Sequence, residues 1–399
     1  MKVLLISHTC QSPAEGQPKA ELLHAMPDIQ LRVLIPNRWK HYGKWREVKF
    51  IDNARAHYQV GAVRWPWVGP AQFYLHYYPQ LSAMLRDFRP DIIDLWEEPW
   101  GLVSAHTVWL RDRILPGTKI ISETEQNINR ILPPPFEQFR RYTLRHADFV
   151  IGRSREALEI TRSKGFKGPG EVVPNAVDAK LFVPMDRMTS RRETGLADWC
   201  GANDFLVGYA GRLVEEKGLG DLVAAVAACG AEVKLLLIGD GPFKPALELQ
   251  IGQLGIADRV RMIAGVPLGK LPVLMNAMNV FALPSRTTAT WKEQFGRVII
   301  EAHACAVPVI GSQSGAIPDV VGDAGMVVPE SNAVALAEAL GKLNADRAMA
   351  MDMGRRGFDR VHREFSWERV AEQMARIYRR CQTGSKLEGN VEASCGLTE

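Results

Sequence analysis

The alternation of short apolar runs with longer amphipathic segments is the feature that most constrains the fold of this chain. Runs of this kind are typical of strands buried on both faces, and the segments between them are long enough for helices. The runs lie at 3–7, 31–35, 91–95, 119–122 and 148–152 in the first half, and at 205–211, 233–239, 260–265, 280–284, 308–312 and 326–329 in the second. The sequence therefore predicts an α/β protein with two doubly wound parallel sheets, one in each half.

The length also indicates two domains, because 399 residues exceed the size at which one hydrophobic core keeps growing. The apolar pattern breaks near Pro174 and Asn175, and the segment that follows, to Asn203, is charged and poorly periodic. We therefore predict a first domain at residues 1–175 and a second domain at residues 176–365.

The end of the chain is predicted to be mostly helical. Helix-length segments occupy 331–344, 346–364 and 366–381, and Ser366 provides a start signal for the last of them. The polar segment 382–399 contains Gly and Ser, and we expect it to be a loose tail.

The two halves differ in charge. Residues 1–175 carry 24 Lys and Arg against 18 Asp and Glu, whereas residues 176–399 carry 25 against 27. A basic domain indicates either an anionic partner or no more than a solvated face. The anionic candidates are a phosphorylated acceptor, a lipid diphosphate and an anionic membrane surface, and no nucleic-acid partner is expected.

The basic half contains an aromatic-rich segment, residues 38–79, in which aromatic side chains are interleaved with Lys and Arg. Three interpretations stay open: packing within the domain, binding of an acceptor, and contact with a membrane. The aromatic residues are Trp39, Trp45, Trp65, Trp67, Phe73, Tyr74, Tyr77 and Tyr78.

Several classes of protein are excluded by the composition. The six cysteines form no CxxC pair, so neither a disulfide framework nor a zinc site is indicated. The apolar run at the N-terminus is too short for a signal peptide, and no run approaches the length of a membrane span. The sequence therefore predicts a soluble, cytoplasmic protein that at most contacts the inner face of the plasma membrane.

Candidate binding residues follow the predicted strands of the second half, because open α/β sheets bind ligands at the carboxyl ends of their strands. Arg212 and Lys217 follow the first of these strands. Two cations at a strand end suit a diphosphate, since Arg clamps oxygens in a fork and Lys supplies a compact charge. A solvated charged pair with the same spacing is the alternative.

A second group of candidates surrounds a predicted helix start after the fourth strand of this half. Glu293 precedes the start and Glu301 lies about two turns inside the helix, so one carboxylate can bind a sugar and the other a ribose. Backbone N–H groups at a helix start also favour an anion such as diphosphate. The residues that offer these groups are Phe295, Gly296 and Arg297.

The order of these features resembles glycosyltransferase family 4, whose members have the GT-B architecture of two Rossmann-like domains facing across a cleft. The similarity is specific over residues 172–330 and rests on the strand pattern alone in the first half. The segment PNAVD at 174–178 is similar to the family's interdomain PNGVD. The matching residues are Arg212, Lys217, Glu293, Phe295, Gly296 and Glu301.

This resemblance implies a retaining, metal-independent enzyme of polysaccharide or glycolipid biosynthesis, which moves a sugar from a nucleotide-sugar donor to a glycan or lipid-linked acceptor. Arg212 and Lys217 would hold the donor diphosphate and Glu293 would bind the sugar, so these three are the catalytic candidates. The other donor-binding candidates are Glu301 for the ribose, Val266 beside the base, and Phe295, Gly296 and Arg297 for the sugar and phosphate. The family fold also implies that the last helix returns to the first domain, and no cofactor or metal is expected.

The first half departs from the family pattern at two strand ends. Many members have a Gly-Gly loop after the first strand, where this chain has only Gly16. Many also have a sugar-contacting His after the fourth strand, where this chain continues from Glu123 to Asn127. The candidates on the acceptor and sugar side are His8, Gly16, Glu123, Gln126 and Asn127. Glu97 and Glu98 also follow a strand, and simple solvation is the alternative for them.

Other functions remain to be weighed against a transferase. A dehydrogenase is disfavoured, because no GxGxxG follows any predicted strand. A phosphorylase or a nucleotide-sugar epimerase of the same architecture would use similar phosphate contacts. A noncatalytic partner protein that binds a glycan or another transferase is a further alternative.

Overall fold

The computed structural model describes residues 1–41, 44–51, 57–64 and 72–383. The chain forms two compact units, one made of residues 1–173 together with the chain from residue 371, and the other made of residues 174–370. The predicted boundary after residue 175 lies two residues beyond the observed one.

Parallel strands and one antiparallel hairpin make up the β-structure of the first unit. The strands are β1 (Lys2–Ile6), β2 (Gln30–Pro36), β3 (Arg38–His41), β4 (Lys44–Glu47), β5 (Tyr58–Gly61), β6 (Ile92–Leu95), β7 (Lys119–Thr124), β8 (Phe149–Gly152) and β9 (Gly170–Val172). Seven of them form a parallel sheet in the order β5-β2-β1-β6-β7-β8-β9, and β3 pairs with β4 in the hairpin. The five predicted strands are confirmed as β1, β2, β6, β7 and β8. The apolar pattern does not predict the others, because their segments are short or charged.

Six helices of the first unit connect these strands within the described residues. They are α1 (Gln17–His24), α2 (Gln72–Leu75), α3 (Leu81–Phe88), α4 (Leu102–Ile114), α5 (Phe136–His146) and α6 (Arg155–Ser163). Side-chain capping defines the start of α6, where the Ser154 hydroxyl accepts a hydrogen bond from the Ala157 N–H at 3.2 Å.

The second unit is a smaller parallel sheet covered by helices. Its strands are β10 (Phe205–Ala210), β11 (Val233–Ile238), β12 (Val260–Ile263), β13 (Val280–Leu283), β14 (Val309–Ser312) and β15 (Gly325–Val328). They are ordered β12-β11-β10-β13-β14-β15, and all six predicted strands are confirmed. The helices from here to the end of the described chain are α7 (Arg187–Glu193), α8 (Leu219–Ala228), α9 (Lys244–Gln253), α10 (Leu271–Asn276), α11 (Arg297–Ala304), α12 (Ile317–Val321), α13 (Ala333–Ala345), α14 (Arg347–Arg360) and α15 (Trp367–Thr383).

Each sheet contains a topological switch point, where the strand order changes direction. In the first sheet β1 lies between β2 and β6, and in the second sheet β10 lies between β11 and β13. The chain therefore continues from β1 to β2 on one side of β1 and later returns to β6 on its other side. In the second sheet, β11 and β13 flank β10 in the same way. A crevice forms at the carboxyl ends of the strands at such a point, and open α/β sheets bind their ligands there. The residues after β1, β6, β10 and β13 are therefore the first places to look for a site.

The three predicted C-terminal helices are confirmed as α13, α14 and α15, with a π-helical turn at Val361–Phe365 between the last two. Helix α15 begins in the second unit and continues in the first. In the first unit, the Tyr378 hydroxyl donates to Asp94 Oδ2 at 2.6 Å, and Arg379 pairs with Asp28 at 2.8 Å. The helix extends to Thr383, so the first two residues of the predicted tail are helical, and residues 384–399 lie outside the described chain.

Packing accounts for part of the aromatic-rich segment. Trp39 and Tyr78 are buried, whereas Trp45 and Phe73 are substantially exposed. The predictions for Trp65 and Trp67 concern residues outside the described chain. Among the helices that the structure describes, none combines the length and the apolar character needed to cross a bilayer.

Candidate functional site

A charged pair lies at the switch point of the second unit. Lys217, in the turn after β10, places its Nζ 2.6 Å from Oε2 of Glu293, which lies in the loop after β13. The buried Ser285 hydroxyl donates to the same carboxylate oxygen at 2.9 Å. The sequence predicted Lys217 and Glu293 separately, and the structure brings them into direct contact across 76 residues of chain.

Close packing of the two loops produces this contact. Gly218 has a φ of +67° and lies against the carbonyl oxygen of Pro284, where a Cβ atom would collide with that oxygen. Only glycine adopts this conformation without strain and also fits the space. The second loop is fixed by Arg286, whose Nε and Nη2 donate to Oδ2 and Oδ1 of Asp221 at 2.9 and 2.6 Å.

An indole covers part of the lysine. The Lys217 Nζ lies 4.8 Å from the ring centroid of Trp291, within the range of a cation–π interaction. The side chains of Lys217 and Glu293 are only 19% and 11% exposed. Ser285 and Trp291 were not among the predicted site residues. Both lie in the loop after β13 that contains Glu293, and this position was the available signal.

The predicted helix start is confirmed beside this pair. Helix α11 begins at Arg297 after Gly296, which has a φ of +80° and provides no side-chain cap. The first N–H groups of a helix have no partner inside the helix, so this start favours an anion. Phe295 is buried and packs edge-to-face on Phe365, with ring centroids 6.0 Å apart. The loop before the helix is thereby fixed.

Glu301 lies in the second turn of α11, as the fifth of its eight residues, which is nearer to the start than the predicted two turns. Its carboxyl group is buried, and loss of hydration raises its pKa above the ordinary value although Arg297 opposes this shift. A buried carboxyl group of this kind is suited to binding hydroxyl groups.

The remaining donor-side candidates are more exposed. The Arg212 side chain is exposed directly after β10, and its carbonyl oxygen accepts a hydrogen bond from the Tyr209 hydroxyl at 2.7 Å. Val266 is half-buried in the loop after β12 and packs against the core of the unit. Both therefore follow strands of this sheet, as predicted, while contact with a ligand stays a prediction.

A second arrangement lies at the switch point of the first unit. His8 follows β1 and Glu97 follows β6. The Glu97 carboxylate accepts from the backbone N–H of His8 at 2.6 Å and from its Nδ1 at 2.7 Å. Burial alone would raise the pKa of Glu97, but His8 and His76 hold this pKa at about 2. Burial lowers the pKa of His8, but Glu97, together with Glu125 and Glu15, raises this pKa above the ordinary value.

Glu98 is held next to this pair by neighbouring backbone and side-chain donors. Its carboxylate accepts from the Thr124 hydroxyl and from the Glu125 N–H, both at 2.7 Å. Loss of hydration outweighs these bonds and raises the pKa of Glu98 to about 7. The carboxyl ends of β6 and β7 therefore carry an acidic group that is partly ionised near neutral pH.

The other acceptor-side candidates contact neighbouring parts of the protein. Glu123 is buried between Lys19, with Nζ at 3.0 Å, and Arg153, and this pairing accounts for the residue without a ligand. Gly16 precedes α1 and lies against the backbone of Cys10. The Gln126 side chain accepts from Arg140 at 3.3 Å, and Asn127 is buried. Of the five candidates, His8 is the one that the structure places at the switch point.

No three His, Cys, Asp or Glu side chains of the described ranges are grouped so as to hold a metal ion. The five cysteines among the described residues are free thiols.

Comparison with known proteins places both halves in one family. The model described as "Glycosyl transferases group 1" matches residues 201–360, and "Glycosyltransferase Family 4" matches residues 25–181. The chain is 32% identical over 225 residues to alpha-maltose-1-phosphate synthase of Mycolicibacterium smegmatis, an alignment that covers 52% of this chain and 56% of the relative. It is also 32% identical over 304 residues to D-inositol 3-phosphate glycosyltransferase of Corynebacterium jeikeium, covering 71% and 67%.

The fold is shared with solved structures. Sucrose-phosphate synthase from Thermosynechococcus elongatus superposes with a TM-score of 0.72 at 24% identity, and the match covers 96% of this chain and 100% of the other. The chain spans about half the length of several curated relatives it matches. It has the GT-B fold with two Rossmann-like domains, and the two family models together with the C. jeikeium relative show that it belongs to glycosyltransferase family 4.

Proposed function

We propose that the protein is a retaining, metal-independent glycosyltransferase that moves a sugar from a nucleoside-diphosphate sugar to a glycan or lipid-linked acceptor. The observation that carries this proposal is the contact of Lys217 with Glu293 beside the uncapped start of α11. A cation, a carboxylate and a helix start at one switch point match the diphosphate and sugar of such a donor.

Different residues of the second unit are proposed to bind the diphosphate and the sugar of the donor. Lys217 and Arg212 would neutralise the diphosphate, and the N–H groups of Phe295, Gly296 and Arg297 would add their partial positive charge. Glu293, oriented by Ser285, would accept hydrogen bonds from sugar hydroxyls. As the bond from the anomeric carbon to the diphosphate oxygen breaks, negative charge develops on that oxygen. Preorganised cations stabilise this charge in the transition state.

The first unit is proposed to bind the acceptor, whose hydroxyl oxygen forms the new bond on the face that the diphosphate leaves. The hydroxyl proton leaves with the nucleoside diphosphate. We infer that water is excluded from the bound donor during the reaction, because hydrolysis of the donor competes with transfer.

A donor screen tests this function. The protein is incubated with UDP-, GDP- and other nucleotide sugars, with and without glycan and lipid-linked acceptors, and released nucleoside diphosphate is measured against new glycosidic bond. We expect the two products in equal amounts with one preferred donor. An epimerase would give an isomeric nucleotide sugar, a phosphorylase would require phosphate, and a noncatalytic partner would give no product.

Treatment with EDTA tests the metal-independent mechanism. We expect turnover with the preferred donor to be unchanged, because the proposed site neutralises the diphosphate with Lys217, Arg212 and a helix start. The initial rate is measured after dialysis against EDTA and again after addition of Mn²⁺ or Mg²⁺. A rate that falls with EDTA and returns with the metal would contradict the mechanism.

Replacement of Glu301 by alanine tests the ribose contact. We expect the dissociation constant of the preferred nucleoside diphosphate to rise about 10- to 150-fold, since a hydrogen bond to a charged group contributes roughly 1.5–3 kcal/mol. Calorimetry measures the constant for the wild type and for Glu301→Ala. The 2′,3′-dideoxy nucleotide is the control, because it lacks the hydroxyls and should bind both proteins alike. An equal loss with both nucleotides would place Glu301 away from the ribose.

The proposal includes a cytoplasmic location and peripheral contact of the basic first unit with an anionic membrane. Sedimentation with anionic vesicles at low and high salt measures this contact, since salt screens exposed charges. Binding that falls as salt rises would support it, and absence of binding at low salt would remove it.

A further inference from the structure

The imidazole of His8 is held in one orientation by its surroundings. Glu97 accepts from both its backbone N–H and its Nδ1, and because a carboxylate is only an acceptor, Nδ1 carries the proton. The ring stacks on Trp39, with centroids 4.5 Å apart and planes at 24°, and Phe73 packs on it edge-on at 5.6 Å. The ring is therefore fixed before any ligand binds.

The other ring nitrogen is available to a ligand. Nε2 lies on the opposite side of the ring from Glu97, and no hydrogen bond occupies it within the described ranges of the chain. The His8 side chain is 22% exposed, although the Glu97 carboxylate beneath it is almost completely buried. A histidine oriented through one nitrogen by a buried carboxylate presents its second nitrogen as a directed hydrogen-bonding group.

The position of this nitrogen matches a binding site. His8 and Glu97 follow β1 and β6, the two strands that flank the switch point of the first sheet. In the second unit, Lys217 and Glu293 follow the equivalent strands β10 and β13. Each unit therefore has one oriented pair at the place where a sheet of this topology binds its ligand.

The charges around His8 identify the class of ligand. The carboxylates of Glu15 and Glu125 act on the imidazole together with Glu97. Glu98 adds a fourth acidic group at the ends of the same strands. Two cations of this region, Lys19 and Arg153, are buried in contact with Glu123 and so are not offered to a ligand. Arg153 Nε also lies 3.7 Å from Glu125. A phosphate or carboxylate here would be repelled by like charge, whereas hydroxyl groups have partners in both the imidazole and the carboxylates.

We propose that His8, oriented by Glu97, forms a hydrogen bond through Nε2 with a hydroxyl group of an uncharged sugar in the acceptor. This inference rests on the proposed transferase function and names the acceptor group that enters the first unit. The acceptor's reacting end is a neutral glycan, and any phosphate of a lipid-linked acceptor lies away from this switch point. His8 is a binding residue, and the proton of the reacting hydroxyl is not transferred to it.

Two substitutions, each of which replaces one ring nitrogen of His8 by an amide group, distinguish a role in acceptor binding from a role in holding the structure. In His8→Asn the side-chain amide N–H replaces Nδ1 and keeps the bond to Glu97, but nothing replaces Nε2. In His8→Gln the longer side chain places its amide group, which can donate or accept, near the position of Nε2 and gives up the bond to Glu97. We expect the acceptor KM to rise at least tenfold in His8→Asn and less in His8→Gln. His146→Gln, on α5, is the control for loss of a partly exposed histidine.

The assay uses the full chain, its preferred nucleotide sugar and matched acceptors that differ by one phosphate, such as a neutral oligosaccharide and its phosphorylated form. We expect the neutral acceptor to be used more efficiently by the wild type, and the affinity for nucleoside diphosphate, measured by calorimetry, to be the same in His8→Asn. Thermal unfolding reports whether either variant is damaged.

The outcomes separate this inference from the transferase function. Preference for the phosphorylated acceptor would overturn the inference, as would a His8→Asn enzyme with the wild-type acceptor KM. A larger defect in His8→Gln than in His8→Asn would also overturn it, because His8 would then act through its bond to Glu97 and not through Nε2. In each of these cases the transferase function stands. A wild type that releases no nucleoside diphosphate with any donor and acceptor would overturn both.

Discussion

Replacement of Lys217 by alanine is expected to lower kcat/KM for sugar transfer by about 10²- to 10³-fold, the effect of removing one preorganised group that stabilises developing charge. The Lys217 ammonium is largely enclosed, lies 2.6 Å from Glu293 and is covered by Trp291. A water molecule in its place would not supply a fixed positive charge beside the leaving diphosphate. The loss should appear mainly in kcat, because charge on the bridging oxygen develops in the transition state.

A matched lysine in the same unit provides the control. Lys234 pairs with Asp204 at 2.9 Å, is 17% exposed and has its ammonium 5.5 Å from the Trp199 ring centroid. It thus repeats the lysine, carboxylate and indole of the proposed site, but it is the second residue of β11, at the amino end of the strand. Lys234→Ala should unfold at a temperature similar to Lys217→Ala and retain wild-type kcat/KM. Wild-type turnover in Lys217→Ala would refute the donor site.

The central strands were predictable from the sequence because burial on both faces leaves a continuous apolar run. β5 (Tyr58–Gly61) and β9 (Gly170–Val172) lie at the two edges of their sheet and are short, so they leave no such run. The strands of the hairpin, β3 and β4, contain charged residues along their length, so they also form no apolar run. Trp39 of β3 is buried, and a local pattern does not encode the tertiary contacts that bury it.

The candidate donor site was predictable as a set of residues but not as a contact. The family resemblance supplied Lys217 and Glu293, while their ion pair depends on the adjacency of β10 and β13 and on Gly218 packing against Pro284. Trp291 is not among the residues that carry the resemblance, and its place in the site is established by its distance from Lys217.

Net charge was a poor guide to the first unit, because a sum over residues does not locate charge. The excess of Lys and Arg in residues 1–175 favours an anionic partner, yet Lys19 and Arg153 are buried in ion pairs. The switch point of the sheet carries Glu97 and Glu98 instead. This distribution is the reason for inferring a neutral sugar at that point, whatever binds elsewhere on the unit.

Glu123 has the largest expected effect on stability. Its carboxylate lies between Lys19 and Arg153, and all three side chains are almost completely inaccessible to solvent. Burial would raise the pKa of Glu123, but the charges of Arg153 and Lys19 lower it, so the residue is ionised at neutral pH. Glu123→Ala leaves the buried Lys19 ammonium without its carboxylate. It leaves Arg153 with only the longer contact from its Nε to Glu125 at 3.7 Å. We expect the free energy of unfolding of the first unit to fall by about 3–5 kcal/mol.

Glu171 is the matched control, because it also pairs with two arginines, Arg376 at 2.7 Å and Arg380 at 3.2 Å, but at the surface. Glu171→Ala should cost no more than about 1 kcal/mol, since water replaces the lost partner. Denaturant unfolding followed by a probe in each unit resolves the two transitions of a two-domain protein. If Glu123→Ala unfolded at the same denaturant concentration as Glu171→Ala, the buried pairing would not stabilise the unit.

Replacing Lys19, Glu123 and Arg153 together by apolar residues of similar volume should recover most of the loss, because the cost arises from unpaired charge and not from the absence of the ion pairs themselves.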